Sequence, residues 1–305
     1  MIDIDSSNLS KERPRALLLL VVTATLWSLG GLLIKSVNAN PLAIAGLRSA
    51  IAVVLLLLVV KKPKITWSYA QIGAALAYAA TSILFVSATK TTTAANAVLL
   101  QFTAPIYVAL FSAWLLKERT KLLDWITIFL VIGGMVLFFL DNLSAKSILG
   151  NVISAASGIT FAFFIIFMRM QKDGSPLESI LLGNILTAAI GIPFLAHSVP
   201  DATGWLYLVI LGIVQLGIPY ILFSRAIKHV TALEAILIPV IEPLLNPVWV
   251  FLMLGEAPGL LAIIGGFIVL SAITVRCVLS ALQSPPTKEV IRVAKVGNNR
   301  PVDGG

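Results

Sequence analysis

The sequence predicts an all-α membrane protein of ten transmembrane helices, arranged as two inverted five-helix repeats. Three observations lead there. Of the 305 residues, 58% are hydrophobic and only 12% charged, with a mean hydropathy of +0.98. A soluble domain carries about 25% charged residues, so lipid must solvate most of this surface. Apolar runs of about 20 residues, the length that crosses a bilayer, follow one another along most of the chain. One stretch of the first half also matches one stretch of the second in a single register.

In order, the spans are read at 16–36, 41–60, 68–89, 93–116, 122–140, 147–170, 177–197, 203–224, 232–254 and 259–281. Punctuation falls between them: Asn40-Pro41, Lys61-Lys62-Pro63-Lys64, Asp141-Asn142, Asp173-Gly174-Ser175-Pro176 and Ala257-Pro258-Gly259. The run after Lys11, Arg13 and Arg15 is too long for a signal peptide and lacks a small-residue cleavage site, so it is read as a retained first helix. The loops are short and hold no inserted soluble domain. The organisation expected is a cytoplasmic tail over 1–14, a first repeat over 15–142, a second over 147–282, and a polar, disordered cytoplasmic tail over 283–305.

Net charge is +8. In a soluble chain this would raise nucleic acid as a partner. Here the basic residues sit in short loops and tails, where they act as topology signals and meet anionic lipid headgroups. With the N-terminus cytoplasmic and ten spans, 18 of the 22 Lys and Arg residues fall inside, and only Lys35, Lys90 and Lys146 outside. Arg48 lies within a span. Both termini are therefore expected in the cytoplasm.

The internal match runs without gaps from Ile83-Leu84-Phe85 to Ala95-Asn96-Ala97 against Ile221-Leu222-Phe223 to Leu233-Glu234-Ala235. Pro105 then meets Pro243, Glu118 meets Glu256, and Pro41-Leu42 meets Pro176-Leu177. Five spans per half is an odd number, so the second half enters the membrane upside down. Inverted repeats of this kind mark secondary transporters, in which equivalent halves give inward-open and outward-open states of similar energy.

Glu242 is the most unusual residue. A charge near mid-membrane costs about 2.5–3.5 kcal/mol or more, so it must face the interior, be protonated or be paired. Pro239, Glu242 and Asn246 share its helical face. The face reads as a cavity wall and a candidate proton site; a protonated acid bonded between helices is the plainer alternative. Pro239, Pro243 and Pro247 each remove a backbone donor, and the carbonyls they free tolerate exposure only toward a cavity or a partner group. They are candidate hinge residues, as are Pro105 in the fourth span and Gly30-Gly31 in the first; a static kink or close helix packing accounts for each equally well. Gln101 lies one turn before Pro105. Tyr78, Thr81 and Ser82 share a face of the third span, and Gln215 and Tyr220 are the eighth-span counterpart. Singly, each of these fits an interhelical hydrogen bond worth about 0.6 kcal/mol. As a set with Trp27 and Phe161, they suit a cavity for a zwitterion with an apolar side chain. Arg48, about 12 Å inside the second span at 1.5 Å per residue, reads first as a snorkelling or structural arginine and second as an attractor of carboxylates. The cavity is expected between spans 1, 3, 4, 6, 8 and 9, with 5 and 10 peripheral.

The single cysteine, Cys277, and two histidines exclude an intramolecular disulfide and a multi-cysteine metal site. No phosphate loop or paired carboxylates appear. The sequence implies no enzyme, no cofactor and no catalytic residue; it is silent on oligomeric state.

The chain resembles the EamA branch of the drug/metabolite transporter superfamily over roughly 16–280. The carrying residues are Ala24-Thr25-Leu26-Trp27-Ser28-Leu29-Gly30, Arg48, Ala94-Ala95-Asn96-Ala97 through Pro105, Leu115-Leu116-Lys117-Glu118-Arg119 and the echo Leu254-Gly255-Glu256. The second half departs from the pattern, with Phe161 where the tryptophan is expected and Gly183 where the arginine is expected. The subgroup it most resembles is the bacterial inner-membrane amino-acid exporters. The resemblance implies export of amino acids, aromatic and other neutral ones, by alternating access, with a small-molecule substrate and lipid as partners and no nucleic acid. A multidrug or nucleotide-sugar carrier on the same fold is the alternative, and a non-transporting membrane subunit the alternative of another class.

Overall fold

The computed structural model describes residues 6–140, 147–197, 199–245 and 259–282. Among these the chain is helical and contains no strand. The helices are α1 (Ser6–Trp27), α2 (Gly30–Ser36), α3 (Pro41–Val60), α4 (Tyr69–Thr91), α5 (Ala94–Gln101), α6 (Ala104–Leu115), α7 (Leu122–Phe139), α8 (Ile148–Met170), α9 (Pro176–Gly191), α10 (Ala202–Ile210), α11 (Ile218–Ala226), α12 (Ala232–Leu237) and α13 (Leu260–Leu282). Nine helical segments among the described residues are long and apolar enough to cross a membrane. Their exposed faces carry Val54, Leu58, Trp114, Phe129, Phe267 and Leu270, the side chains expected against lipid. The ninth predicted span, 232–254, runs into 246–258; Asn246 and Pro247 therefore lie outside the described residues, as does the tail over 283–305.

Polar side chains close the helix starts. Asn40 Oδ1 accepts from Leu42 N, Ser68 Oγ from Gln71 N, Asp201 Oδ1 from Gly204 N, and Thr231 and Glu234 cap one another's backbone reciprocally. Residues 6–14 are helical and continuous with the first span. The extension is held from outside its own sequence, because Arg13 Nη2 donates to Glu234 Oε1 at 2.5 Å.

Five of the predicted spans are not uniform α-helices, and most breaks sit at proline; the seventh ends in a 3-10 helix, Ile192–His197, at Pro193. The fourth is interrupted at Phe102-Thr103, just before Pro105. Its freed turn is repaired by Thr103 Oγ1, which donates to Leu100 O at 2.7 Å. The eighth contains a π-helical stretch, Leu211–Gly217, ahead of Pro219. The ninth passes through a 3-10 turn, Ile238–Val240, at Pro239. Proline removes the i to i−4 bond, and the local geometry retightens or widens to compensate. The first span breaks at Ser28-Leu29, before Gly30, without a proline.

Hydrogen bonds place the helix ends in two layers. One end gathers Arg13, Lys64, Glu118, Asp124, Arg169, Glu178, Glu234 and Arg276 through mutual contacts. The opposite end gathers Lys35, Val37, Lys90, Thr92, Asn96 and Asn151. The chain enters α1 from the Arg13 end and α8 from the Lys90 end. Packing pairs are symmetric under exchange of the halves: α4 packs on α8 as α11 packs on α1, and α3 pairs with α9 and α7 with α13. The last two contacts are made by glycine. A Cβ on Gly46 would lie 2.7 Å from the Gly191 backbone, and one on Gly134 would lie 2.9 Å from Gly265 O. Small residues let helices approach where apolar burial offers no drive in lipid.

At the Arg13 end, ion pairs join the halves. Arg276 Nε donates to Asp124 Oδ1 at 3.0 Å, and Arg276 lies 3.7 Å from Glu234. Glu118 accepts from Arg169 Nε at 2.8 Å and from Ala232 N at 2.9 Å. Arg276 is 5% exposed. Removing one partner of a buried pair costs about 3–5 kcal/mol because it strands the other charge. Asp124→Asn is therefore expected to lower the heat-unfolding midpoint of the purified protein clearly, and an unchanged midpoint would show that the Arg276 contact does not hold α7 to α13.

Candidate functional site

The middle of the bundle holds a small, partly open cavity of about 50 Å³. Its wall is Trp27, Arg48, Thr81, Ser82, Phe85, Gln101, Phe161, Gln215, Leu216, Tyr220 and Glu242. Both halves contribute, and most lining residues come from stretches that break or flank a break in the helix.

Trp27 ends α1, so its ring reaches inward past the turn at Ser28-Leu29. It meets Phe161 with ring centroids 6.3 Å apart, Tyr220 at 5.1 Å and Phe223 at 5.8 Å. This cluster forms the apolar side of the cavity. Its indole Nε1 is buried and has no hydrogen-bond partner. Gln101 ends α5 at the break before Pro105, and its Nε2 donates to Ser157 Oγ at 2.8 Å. Thr81 Oγ1 donates to Ala77 O at 2.7 Å and lies 2.9 Å from Thr160 Oγ1.

Gln215 belongs to the π-helical stretch. Its side chain crosses toward α2, where it packs on Gly30; a Cβ there would lie 2.8 Å from Gln215 Nε2. Gly30 is thus required for the approach of Gln215, whereas Gly31 faces open space. Gln215 Oε1 accepts from Arg48 Nη1 at 3.2 Å, and Ser82 Oγ accepts from Arg48 Nη2 at 3.0 Å. Arg48 is 2% exposed, and its Nε has no partner. Glu242 sits on the helical stretch 241–245, following the 3-10 turn, and is partly exposed toward the cavity.

Most of the residues expected at a cavity converge on this one: Trp27, Thr81, Ser82, Gln101, Phe161, Gln215, Tyr220 and Glu242. Tyr78 does not reach the wall. It stands one layer behind, 1% exposed, with its hydroxyl donating to Asn184 Oδ1 at 3.0 Å and its ring 4.9 Å from Tyr220. The reason is geometric. Residues 78, 81 and 82 share a broad helical face, but α9 packs closely there: a Cβ on Gly183 would fall 2.7 Å from the Tyr78 ring. Of the candidate hinge residues, Gly30, Pro105 and Pro239 adjoin departures from α geometry, and Pro243 lies inside a helical stretch. The residue that sequence reasoning placed elsewhere is Arg48. The second span was not expected to line the cavity, yet it supplies the cation. The available signal was an arginine in an otherwise apolar helix; its partner Gln215 lies 167 residues away.

Among the described residues, no group of histidine, cysteine and acidic side chains has the arrangement of a metal site.

The sequence profile of the EamA-like transporter family matches the chain twice, over 14–140 and 148–276. The chain is 26% identical over 192 residues to an uncharacterized transporter of Archaeoglobus fulgidus, covering 63% of this chain and 70% of that protein. It is 27% identical over 214 residues to the uncharacterized transporter YdfC of Bacillus subtilis, covering 65% and 67%. A solved crystal structure superposes with a TM-score of 0.73 at 20% identity, covering 88% of this chain and 98% of the other, which shows a shared fold.

The geometry predicts water access at Gln101. With Cys277 replaced by serine, Gln101→Cys should react with a small, membrane-impermeant thiol reagent applied from one side of the membrane. Leu20→Cys, at a fully buried position, should not react. Failure of Gln101→Cys to react from both sides would mean that the cavity is closed to water.

Proposed function

Because this chain belongs to the EamA-like transporter family, we propose that it is a secondary transporter that exports amino acids and related small metabolites, aromatic and other neutral ones, by alternating access. The observation that carries this reading is the cavity itself. It lies in the interior of a lipid-facing bundle, is walled by both halves, and combines four aromatic side chains with a few polar groups, among them Arg48 and Glu242. Apolar surface with a few placed hydrogen-bonding groups is the make-up of a small-molecule site.

The architecture supports alternating access. The family profile matches twice, over 14–140 and 148–276, and α1 and α8 start from opposite ends of the bundle. We read this as two inverted repeats of five spans each. In the conformation described, ion pairs join the halves at the Arg13 end. That end is the closed gate, and the path from the cavity leads toward the Lys90 end. The distribution of basic residues supports a cytoplasmic Arg13 end, with both termini there and the chain in a bacterial inner (plasma) membrane. The broken stretches at Ser28-Leu29, Phe102-Thr103 and Ile238–Val240 are where the spans bend during the exchange.

A nucleotide-sugar carrier needs several cations for its phosphates. Among the described residues the cavity wall holds only Arg48, and one cation favours a small zwitterion.

Reconstitution tests the reading. Proteoliposomes are expected to exchange labelled neutral amino acids faster than empty liposomes, and to leave nucleotide sugars and cationic drugs outside. Exchange of only drugs or nucleotide sugars would replace the amino-acid reading, and no exchange of any solute would remove the transport reading.

A further inference from the structure

A guanidinium and a carboxyl group line the same cavity, and neither has a charged partner among the described residues. Arg48 is held by two neutral acceptors, Gln215 Oε1 and Ser82 Oγ, and its Nε is buried without any acceptor. Glu242 makes no ion pair with Arg48 or with any other described residue, although both reach the cavity. An uncompensated charge at membrane depth is expensive, and such residues in spans mark substrate or ion pathways. The sequence halves sharpen the point. In the internal alignment the counterpart of Arg48 is Gly183 and that of Glu242 is Ala104. The pair therefore breaks the correspondence between the halves at these two positions, as Trp27 and Phe161 do at a third.

Resting on the amino-acid reading above, we propose that the cavity binds its substrate as an oriented zwitterion, with the carboxylate on Arg48 and the ammonium on Glu242. A guanidinium offers a planar fork that matches a carboxylate with two parallel hydrogen bonds. Gln215 Oε1 and Ser82 Oγ accept from that fork as neutral partners, and an arriving carboxylate displaces at least one of them. Gln215 is thus a positioning residue: it holds the guanidinium toward the cavity between turnovers and can do so because Gly30 leaves room for its amide. With both ends of the zwitterion paired, the substrate side chain lies against Trp27, Phe161 and Tyr220. A compound with only one of the two charges leaves the other buried and unpaired, so it binds weakly.

The test uses three probes of one shape on the full-length protein: L-phenylalanine, its decarboxylated amine phenethylamine, and its deaminated acid 3-phenylpropionate. Binding is read from the thermal shift of the purified protein, and transport from exchange in proteoliposomes. The wild type is expected to bind phenylalanine at least tenfold more tightly than either analogue. Arg48→Gln should lose tenfold or more for phenylalanine while binding phenethylamine as before, with Arg48→Lys intermediate. Glu242→Gln should show the mirror pattern, sparing 3-phenylpropionate. Retained binding of one analogue reports that the variant is folded. Wild-type affinity for phenylalanine in both Gln variants would overturn the proposal and leave amino-acid transport standing. Equal loss of all three probes, with an unchanged unfolding midpoint, would also overturn it, since the charges would then shape the cavity rather than read the substrate. A wild type that exchanges no amino acid sinks the parent reading and this inference with it.

Discussion

Inside a bilayer there is no water to satisfy a polar group that the protein leaves unpaired, and this constraint organises the whole molecule. It accounts for the capped helix starts, for the hydroxyls that return to the preceding turn in Thr81, Thr89 and Thr187, and for the glycine contacts that bring α3 against α9 and α7 against α13. It also identifies the site by exception. Most buried polar side chains are bonded to a neighbour. Of the four buried side-chain atoms without a hydrogen-bond partner among the described residues, Trp27 Nε1 and Arg48 Nε belong to residues on the cavity wall. The same rule applied to helix geometry explains why the breaks cluster there. A freed carbonyl or a widened π turn is tolerated only where protein or water can reach it, and the stretches before Pro105, Pro219 and Pro239 all adjoin the cavity.

Charge is distributed by the same logic. At the Arg13 end, where helices leave the membrane, Arg13, Asp124, Glu118, Arg169, Glu234 and Arg276 neutralise one another across the boundary between halves. At the Lys90 end the contacts are mostly lysine or asparagine to neutral oxygen: Lys90 Nζ donates to Val37 O at 2.6 Å, and Asn96 Nδ2 to Asn151 Oδ1 at 2.8 Å. Ion pairs joining one end and weaker neutral bonds at the other give a bundle with unequal ends. A structure of this kind can open at one side without dismantling its core.

Much of this was legible in the sequence, because a membrane span announces itself in composition. The runs over 41–60, 122–140 and 259–281 correspond closely to α3, α7 and α13. Polar residues in apolar helices were equally visible, which is why Thr81, Ser82, Gln101, Gln215 and Glu242 were recognised together. What was not legible depended on contacts across the chain. Arg48 looked like an isolated arginine because Gln215 and Ser82 reach it only in the folded bundle. Tyr78 looked like a lining residue because helical periodicity places it with Thr81 and Ser82; only the close approach of Gly183 shows that α9 covers it. The helical extension over 6–14 was read as tail because its stabilising partner, Glu234, lies 221 residues on.

Alternating access requires that the two halves move against each other and expose the cavity to the two ends in turn. Distances between spin labels test it directly in reconstituted protein. One pair, at Arg119 and Lys228, spans the halves at the Arg13 end; the other, at Ser36 and Leu149, spans them at the Lys90 end, and all four positions are exposed. With an amino acid that the protein exchanges, the two distance distributions should shift in opposite directions, one lengthening as the other shortens. Distributions that stay fixed at both ends while substrate is being exchanged would contradict alternating access and make the cavity a static feature of the bundle.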